Sequence, residues 1–94
     1  MKVMGIKHLD DFRRNHADAR GRIDAWLCEA KEAEWRTPAD IKARYPSASI
    51  LSGNRFIFDI KGNSYRLEVK VAFKYQTVVI TRIGTHAEYI KWKF

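Results

Sequence analysis

Residues 55–91 read RFIFDIKGNSYRLEVKVAFKYQTVVITRIGTHAEYIK, and their alternation decides the fold. Within this stretch 64–75 alternates without a break. Tyr65, Leu67, Val69, Val71, Phe73 and Tyr75 fall on one side; Arg66, Glu68, Lys70, Ala72 and Lys74 fall on the other. Period-two alternation of that length predicts a strand with one buried and one wet face. Upstream, 55–60 places Phe56, Phe58 and Ile60 on a common face, and Lys61-Gly62-Asn63-Ser64 is a turn signal. Downstream, Tyr75-Gln76 reads as a tighter reversal into 77–83, where Val78, Val79 and Ile80 look buried on both faces. Arg82 shares parity with Val78 and Ile80, so it is expected on the core side. Gly84 is expected to end that strand, and Thr85 to cap a short helix holding Ala87, Glu88, Tyr89 and Ile90.

The N-terminal half reads as helical. Residues 2–6 suit a short edge strand. Leu9 and Phe12 stand three apart in a first helix over 8–16. Ile23, Trp26, Leu27 and Ala30 form a stripe in a second over 18–34. The two form either a hairpin or one bent helix, and Asn15 or Asp18 is placed to cap the second. Thr37-Pro38 is a helix start, and Pro46 stops that helix near Tyr45. Residues 47–54 read as a loop with a short extended piece at Ile50 and Leu51. Helices first, then strands, then a terminal helix predict an α+β fold in one domain, 1–94. N-terminal helices pack on one face of a small antiparallel sheet, and a short C-terminal helix follows. The opposite face would be free, with Arg66, Lys70 and Lys74 standing on it.

Composition narrows the partners. Ninety-four residues carry 18 Lys and Arg against 11 Asp and Glu, a net charge of +7. Eight of those cations and only three of the acids lie from Arg55 onward. Such a balance favours anionic partners, nucleic acid first among them. The one cysteine, Cys28, can form no disulfide within the chain and is expected as a small buried filler, in keeping with a cytoplasmic location. Met1 to Ile6 is too short for an apolar signal-peptide core and no run approaches ~20 apolar residues, so neither a signal peptide nor a membrane span is expected. His8, His16 and His86 lack metal-ligand spacing, and no phosphate loop or nucleophile elbow occurs, so neither metal nor cofactor is expected.

A constellation of residues remains. Arg66 and Lys70 lie four apart on one strand face, and Lys74 continues the row. Together they form either a solvated outer face or a rail for phosphates. Arg82 is either a rim residue or a paired one. His86 can exchange protons near neutrality, and Tyr89 can stack on a base or donate a proton. Their plainer roles are a helix cap and a packing ring. Lys91, Trp92, Lys93 and Phe94 form a basic aromatic tail, read mainly as sealing the core.

Gly62-Asn63, Tyr65-Arg66-Leu67, the Val/Ile-rich strand and Gly84-Thr85-His86-Ala87-Glu88-Tyr89 resemble the HigB-type toxins of bacterial toxin–antitoxin modules. Upstream, Trp35, Thr37-Pro38-Ala39-Asp40-Ile41-Lys42 and Tyr45-Pro46-Ser47-Ala48 resemble that family's middle segment. The likeness covers nearly the whole chain in the same order. It implies a RelE-like fold and ribosome-dependent, metal-independent cleavage of mRNA, in which a ribose 2′-hydroxyl attacks the adjacent phosphate. It also implies a HigA-type helix-turn-helix antitoxin as partner, beside mRNA and the ribosome, and no membrane. Carried onto this chain, Arg66 is a phosphate clamp and Arg82 a stabiliser of the transition state. His86 is the acid or base, and Tyr89 a stacking or proton-donating partner. Lys70, Lys74 and Lys91 would hold RNA phosphates. Two other readings stand beside it. One is a non-catalytic module binding RNA or antitoxin. The other is a gyrase-directed toxin, against which Arg66, His86 and Tyr89 argue, since such a poison needs no acid/base site.

Overall fold

The computed structural model describes residues 1–93; Phe94 lies outside the described residues. Five strands form one sheet in the order β1-β5-β4-β3-β2. They are β1 (Lys2–Met4), β2 (Ser49–Leu51), β3 (Arg55–Ile60), β4 (Tyr65–Ala72) and β5 (Thr77–Thr85). The last three form the expected antiparallel meander, and the short extended piece at 49–51 adds to it as β2, antiparallel to β3. β1 joins the β5 edge in parallel, so the sheet is mixed. The helices are α1 (Ile6–Asn15), α2 (Arg20–Glu32), α3 (Pro38–Arg44) and α4 (His86–Tyr89).

The core lies where the alternation places it. Phe56 and Phe58 of β3, Leu67, Val69 and Val71 of β4, and Val78 and Ile80 of β5 are buried together with Leu9, Phe12, Ile23, Trp26, Ala30 and Ile41 of the helices. Trp26 meets Phe58 edge-on at 5.4 Å. Each such ring removes a large apolar area from water, worth roughly 1.5–3 kcal/mol per side chain. Cys28 sits on the exposed side of α2, because the buried stripe of that helix is Ile23, Trp26 and Ala30 and two positions past Trp26 lies off it.

Helix starts follow local chemistry where a capping residue is available. Thr37 caps α3 in a reciprocal box with Asp40, and Pro38 follows it. α1 and α2 are separate helices joined through His16 and a single 3-10 turn, Ala17–Ala19. Neither Asn15 nor Asp18 caps α2: its N-cap is Ala19, which makes no side-chain bond. Asp18 is engaged elsewhere, accepting from Tyr65 Oη (2.8 Å) and Lys61 Nζ (2.8 Å). Lys61 and then Tyr65 hold the Asp18 carboxyl below the usual range, and the bond to Asp18 holds the Tyr65 phenol up.

One irregularity reorients β5. Val69 pairs with Ile80 but Glu68 pairs with Arg82, leaving Thr81 as an extra residue in a β-bulge. Parity reverses there. Before the bulge Val78 and Ile80 face the core and Val79 looks out, 38% exposed. Beyond it Arg82 and Gly84 face out, while Ile83 packs on the core. Arg82 is therefore not on the core side, Val79 is not buried, and the strand runs through Gly84 to Thr85. β4 ends at Ala72, so Phe73, Lys74 and Tyr75 belong to a 3-10 turn and not to the strand.

Candidate active site

The outer face of the sheet is not free. α4 lies against β4 and β5 there. Thr85 caps α4 in a reciprocal box: Thr85 Oγ1 accepts from the Glu88 N–H (3.2 Å), and Glu88 Oε1 accepts from the Thr85 N–H (2.9 Å). That bonding holds the Glu88 carboxyl below its ordinary range, aided by the charges of His16 and Lys91. The His86 N–H donates to the Ser64 carbonyl at 3.0 Å and ties the helix to the β3–β4 turn. Beneath it sits Gly84, where a Cβ would stand 3.0 Å from Trp92 and 3.2 Å from the Glu88 side chain. Its missing side chain is what lets the tail close onto the sheet.

Under this cover lie the two charged residues expected in solvent. Arg66 is 8% exposed and Glu68 5% exposed. Burial of ions demands partners, and both have them. Arg66 Nε pairs with Asp59 Oδ1 at 3.0 Å. Nη1 donates to the Tyr65 carbonyl (3.3 Å) and Nη2 to Asn63 Oδ1 (3.4 Å). The Tyr89 ring lies 5.1 Å from the Arg66 guanidinium carbon. Glu68 accepts from Thr81 Oγ1 (2.6 Å) and Arg82 Nη2 (3.1 Å). The Arg82 guanidinium lies 4.3 Å over the Trp92 ring.

The sequence-derived candidates separate into two groups. Arg66, Tyr89 and His86 are brought together: the His86 and Tyr89 rings are 6.2 Å apart, and His86 is exposed. Arg82 is beside them, reached through Trp92, which meets Tyr89 edge-on at 5.5 Å. Lys91 is exposed in the turn following α4. Lys70 is exposed on the outer face between Arg55 and Val79. Lys74 does not continue the row; its Nζ lies 5.7 Å from the Tyr75 ring in the turn beyond β4. Three partners escaped the sequence reading: Asp59, Glu68 as a buried acceptor, and His16. Asp59 faces Arg66 across β3 and β4, so correct strand register would have found it. His16, 5.3 Å from Tyr65 and near Glu88, has no such signal.

The chemistry available follows from the donors. A guanidinium has five N–H groups in a planar fork suited to phosphate oxygens; on Arg66 two of them donate to the Tyr65 carbonyl and Asn63, and Nε is paired with Asp59. An accessible imidazole stands within one ring of the same place. Among the described residues no three His, Cys, Asp or Glu side chains gather into a metal-holding group. Among the described residues no helix is long and apolar enough to cross a membrane.

A protein-family model described as HigB_toxin, RelE-like toxic component of a toxin-antitoxin system, matches residues 19–92, well over half of the chain. No curated protein matches it.

Proposed function

Since the chain belongs to the HigB toxin family, the RelE-like toxic component of toxin–antitoxin systems, we propose that it is an endoribonuclease that cuts mRNA on the ribosome and is neutralised by a HigA-type helix-turn-helix antitoxin. The observation that carries this reading is the junction of Arg66, Tyr89 and His86 at one end of the sheet. Cleavage by transesterification asks for three things. A base must take the 2′-hydroxyl proton, donors must meet the charge growing on the phosphorane, and an acid must return a proton to the departing 5′-oxygen. The 2′-oxygen forms the new bond to phosphorus and the 5′-oxygen leaves, so the products are a 2′,3′-cyclic phosphate and a 5′-hydroxyl.

In this reading Arg66 supplies guanidinium N–H groups to the phosphate, which enters beside the Tyr89 ring. Asp59 holds it in place and tempers its charge. His86 exchanges the proton. Tyr89 keeps the guanidinium oriented through its ring and presents an edge to the base. Arg82, held by Glu68, adds positive potential without being the clamp. Lys70 and Lys91 guide the flanking backbone, and Lys74, in the turn beyond β4, would meet it further along.

His86→Ala is expected to lower cleavage of translated messages by about 10²- to 10⁴-fold, the range of general acid–base catalysis. It should leave stability within about 0.5 kcal/mol, because the ring is exposed. Mapping of cyclic-phosphate ends and a thermal melt check both. If the Arg66→Ala, His86→Ala double variant arrests growth as the parent does, this site is not the catalytic one. A second reading, a module that binds RNA without cutting it, draws on the pairing of both buried-side arginines with carboxylates. Salt-dependent RNA binding with no cyclic-phosphate ends would favour it.

A further inference from the structure

A cleft of about 270 Å³ opens between α1 and the far half of β5, lined by His8, Asp11, Phe12, Asn15, His16 and Arg82, with Ile83 beside them. It exists because β1 is short. β1 pairs with β5 only across residues 77–79, so from Thr81 onward that edge of β5 is bordered by a helix and not by a strand. Gly5 sets how close that helix comes. Its φ is +81°, and a Cβ there would lie 2.5 Å from the Ile80 carbonyl oxygen, so only glycine turns the chain this tightly against β5. His8, Asp11, Phe12 and Asn15 then follow at i, i+3, i+4 and i+7, one face of α1.

Resting on the ribonuclease reading above, we propose that this cleft is a second nucleotide subsite, which seats a base and phosphate of single-stranded RNA next to the one at Arg66. The lining is mostly cation-capable or aromatic: two imidazoles and a guanidinium against one carboxylate. That carboxylate, Asp11, is already faced by Lys7 (3.9 Å) and Arg14 (3.5 Å). The half-buried His16 ring is stacked on the buried Phe12 ring, 3.8 Å apart and 11° from parallel, so an imidazole backed by the core offers an aromatic surface of the kind on which bases stack without regard to sequence. At 1.5 Å per residue His8 and His16 stand about 12 Å apart along the helix axis, too far to share one phosphate and suited to an extended nucleotide. Arg82 joins the two sites: it lines this cleft and also lies over Trp92, which packs on Tyr89. His16 approaches Glu88 in the helix that carries His86. The α1 wall lies before residue 19, outside the segment matched by the family model, whereas Arg82 lies within it.

The test is a titration of the full chain with an uncleavable 2′-O-methyl single-stranded hexanucleotide, following the ring protons of the three histidines by NMR. His8 and His16 signals are expected to move together with His86 and to saturate at one Kd. A His8→Ala, Asn15→Ala double variant, both positions being exposed, should weaken binding about tenfold and raise KM for cleavage at unchanged kcat. Movement of His86 alone, or a double variant that binds as the parent does, overturns the subsite. Absence of cleavage with His8 and His16 still responding would remove the ribonuclease reading and leave the subsite standing. A cleft that responds to an antitoxin but not to the oligonucleotide also overturns it.

Discussion

Arg66 shows how much a single side chain depends on its neighbours. Alternation along β4 predicts it in water, yet Asp59, Asn63 and the Tyr65 carbonyl hold it beneath Tyr89. A cation so placed is tolerated only while its carboxylate is present. Asp59→Asn keeps the shape and removes the charge. Breaking a fully buried pair costs roughly 3–5 kcal/mol, and the loss here should be nearer about 2 because part of Asp59 remains in water. The denaturation midpoint should fall accordingly. Affinity for RNA should rise, since the carboxylate that competes with phosphate is gone. An unchanged midpoint would mean that Tyr89, Asn63 and the Tyr65 carbonyl suffice to keep Arg66 in place. Asp59 was legible only through register: the turn at Lys61-Gly62 sets which residue of β3 meets Arg66, and the pairing Asp59↔Arg66 follows from it.

Elements differ in how far they stand by themselves. α3 and α4 carry the same reciprocal cap, Thr37 with Asp40 and Thr85 with Glu88. Losing such a cap costs about 1 kcal/mol. In Thr37→Ala that loss should register globally, lowering Tm by about 4–8 °C, because α3 carries Ile41 into the core. In Thr85→Ala it should register locally. α4 has four residues, too few to persist unaided. Release of α4 should redden Trp92 fluorescence and speed amide exchange over 86–92, with a smaller change in Tm and a larger loss of cleavage. Equal global melting in the two variants would show that α4 is held by Trp92 on Gly84 and not by its cap. Both caps were readable as Thr followed by an acid three residues on. The bulge at Thr81 was not: nothing in Val78-Val79-Ile80-Thr81-Arg82 marks an extra residue, and Thr81 is fixed there by its bonds to Glu68 on the neighbouring strand.

Across the whole molecule, acid sensitivity follows from four carboxyls. Asp18, Glu29, Asp40 and Glu88 are all held below their ordinary values, 3.8 for Asp and 4.5 for Glu. Hydrogen bonds from Lys61 and Tyr65, from Tyr45, from the Arg36 and Thr37 N–H groups, and from Thr85 are the causes. A carboxyl whose folded value is depressed stabilises the fold fully above its unfolded value. That contribution is lost as pH falls through the lower folded one. Stability should therefore be level near pH 6 and decline from about pH 4.5 downward. Melting curves against pH check this, and Asp18→Asn should flatten the lower part of the decline. A profile equally steep with Asp18→Asn would remove Asp18 from the set.

By itself the sequence determined the α+β order of elements, the core face of the sheet and both helix caps. These rest on periodicity and on bonds between residues three or four apart, which local spacing records. Only the tertiary structure decided that the charged face is roofed by α4 and Trp92, that Arg82 turns outward, and that His8 and His16 border one cleft with Arg82. Each of those depends on an extra residue, a missing side chain at Gly84 or Gly5, or a strand that stops short. Such features change direction or distance between segments far apart in the chain and leave the local pattern of residue types as it was.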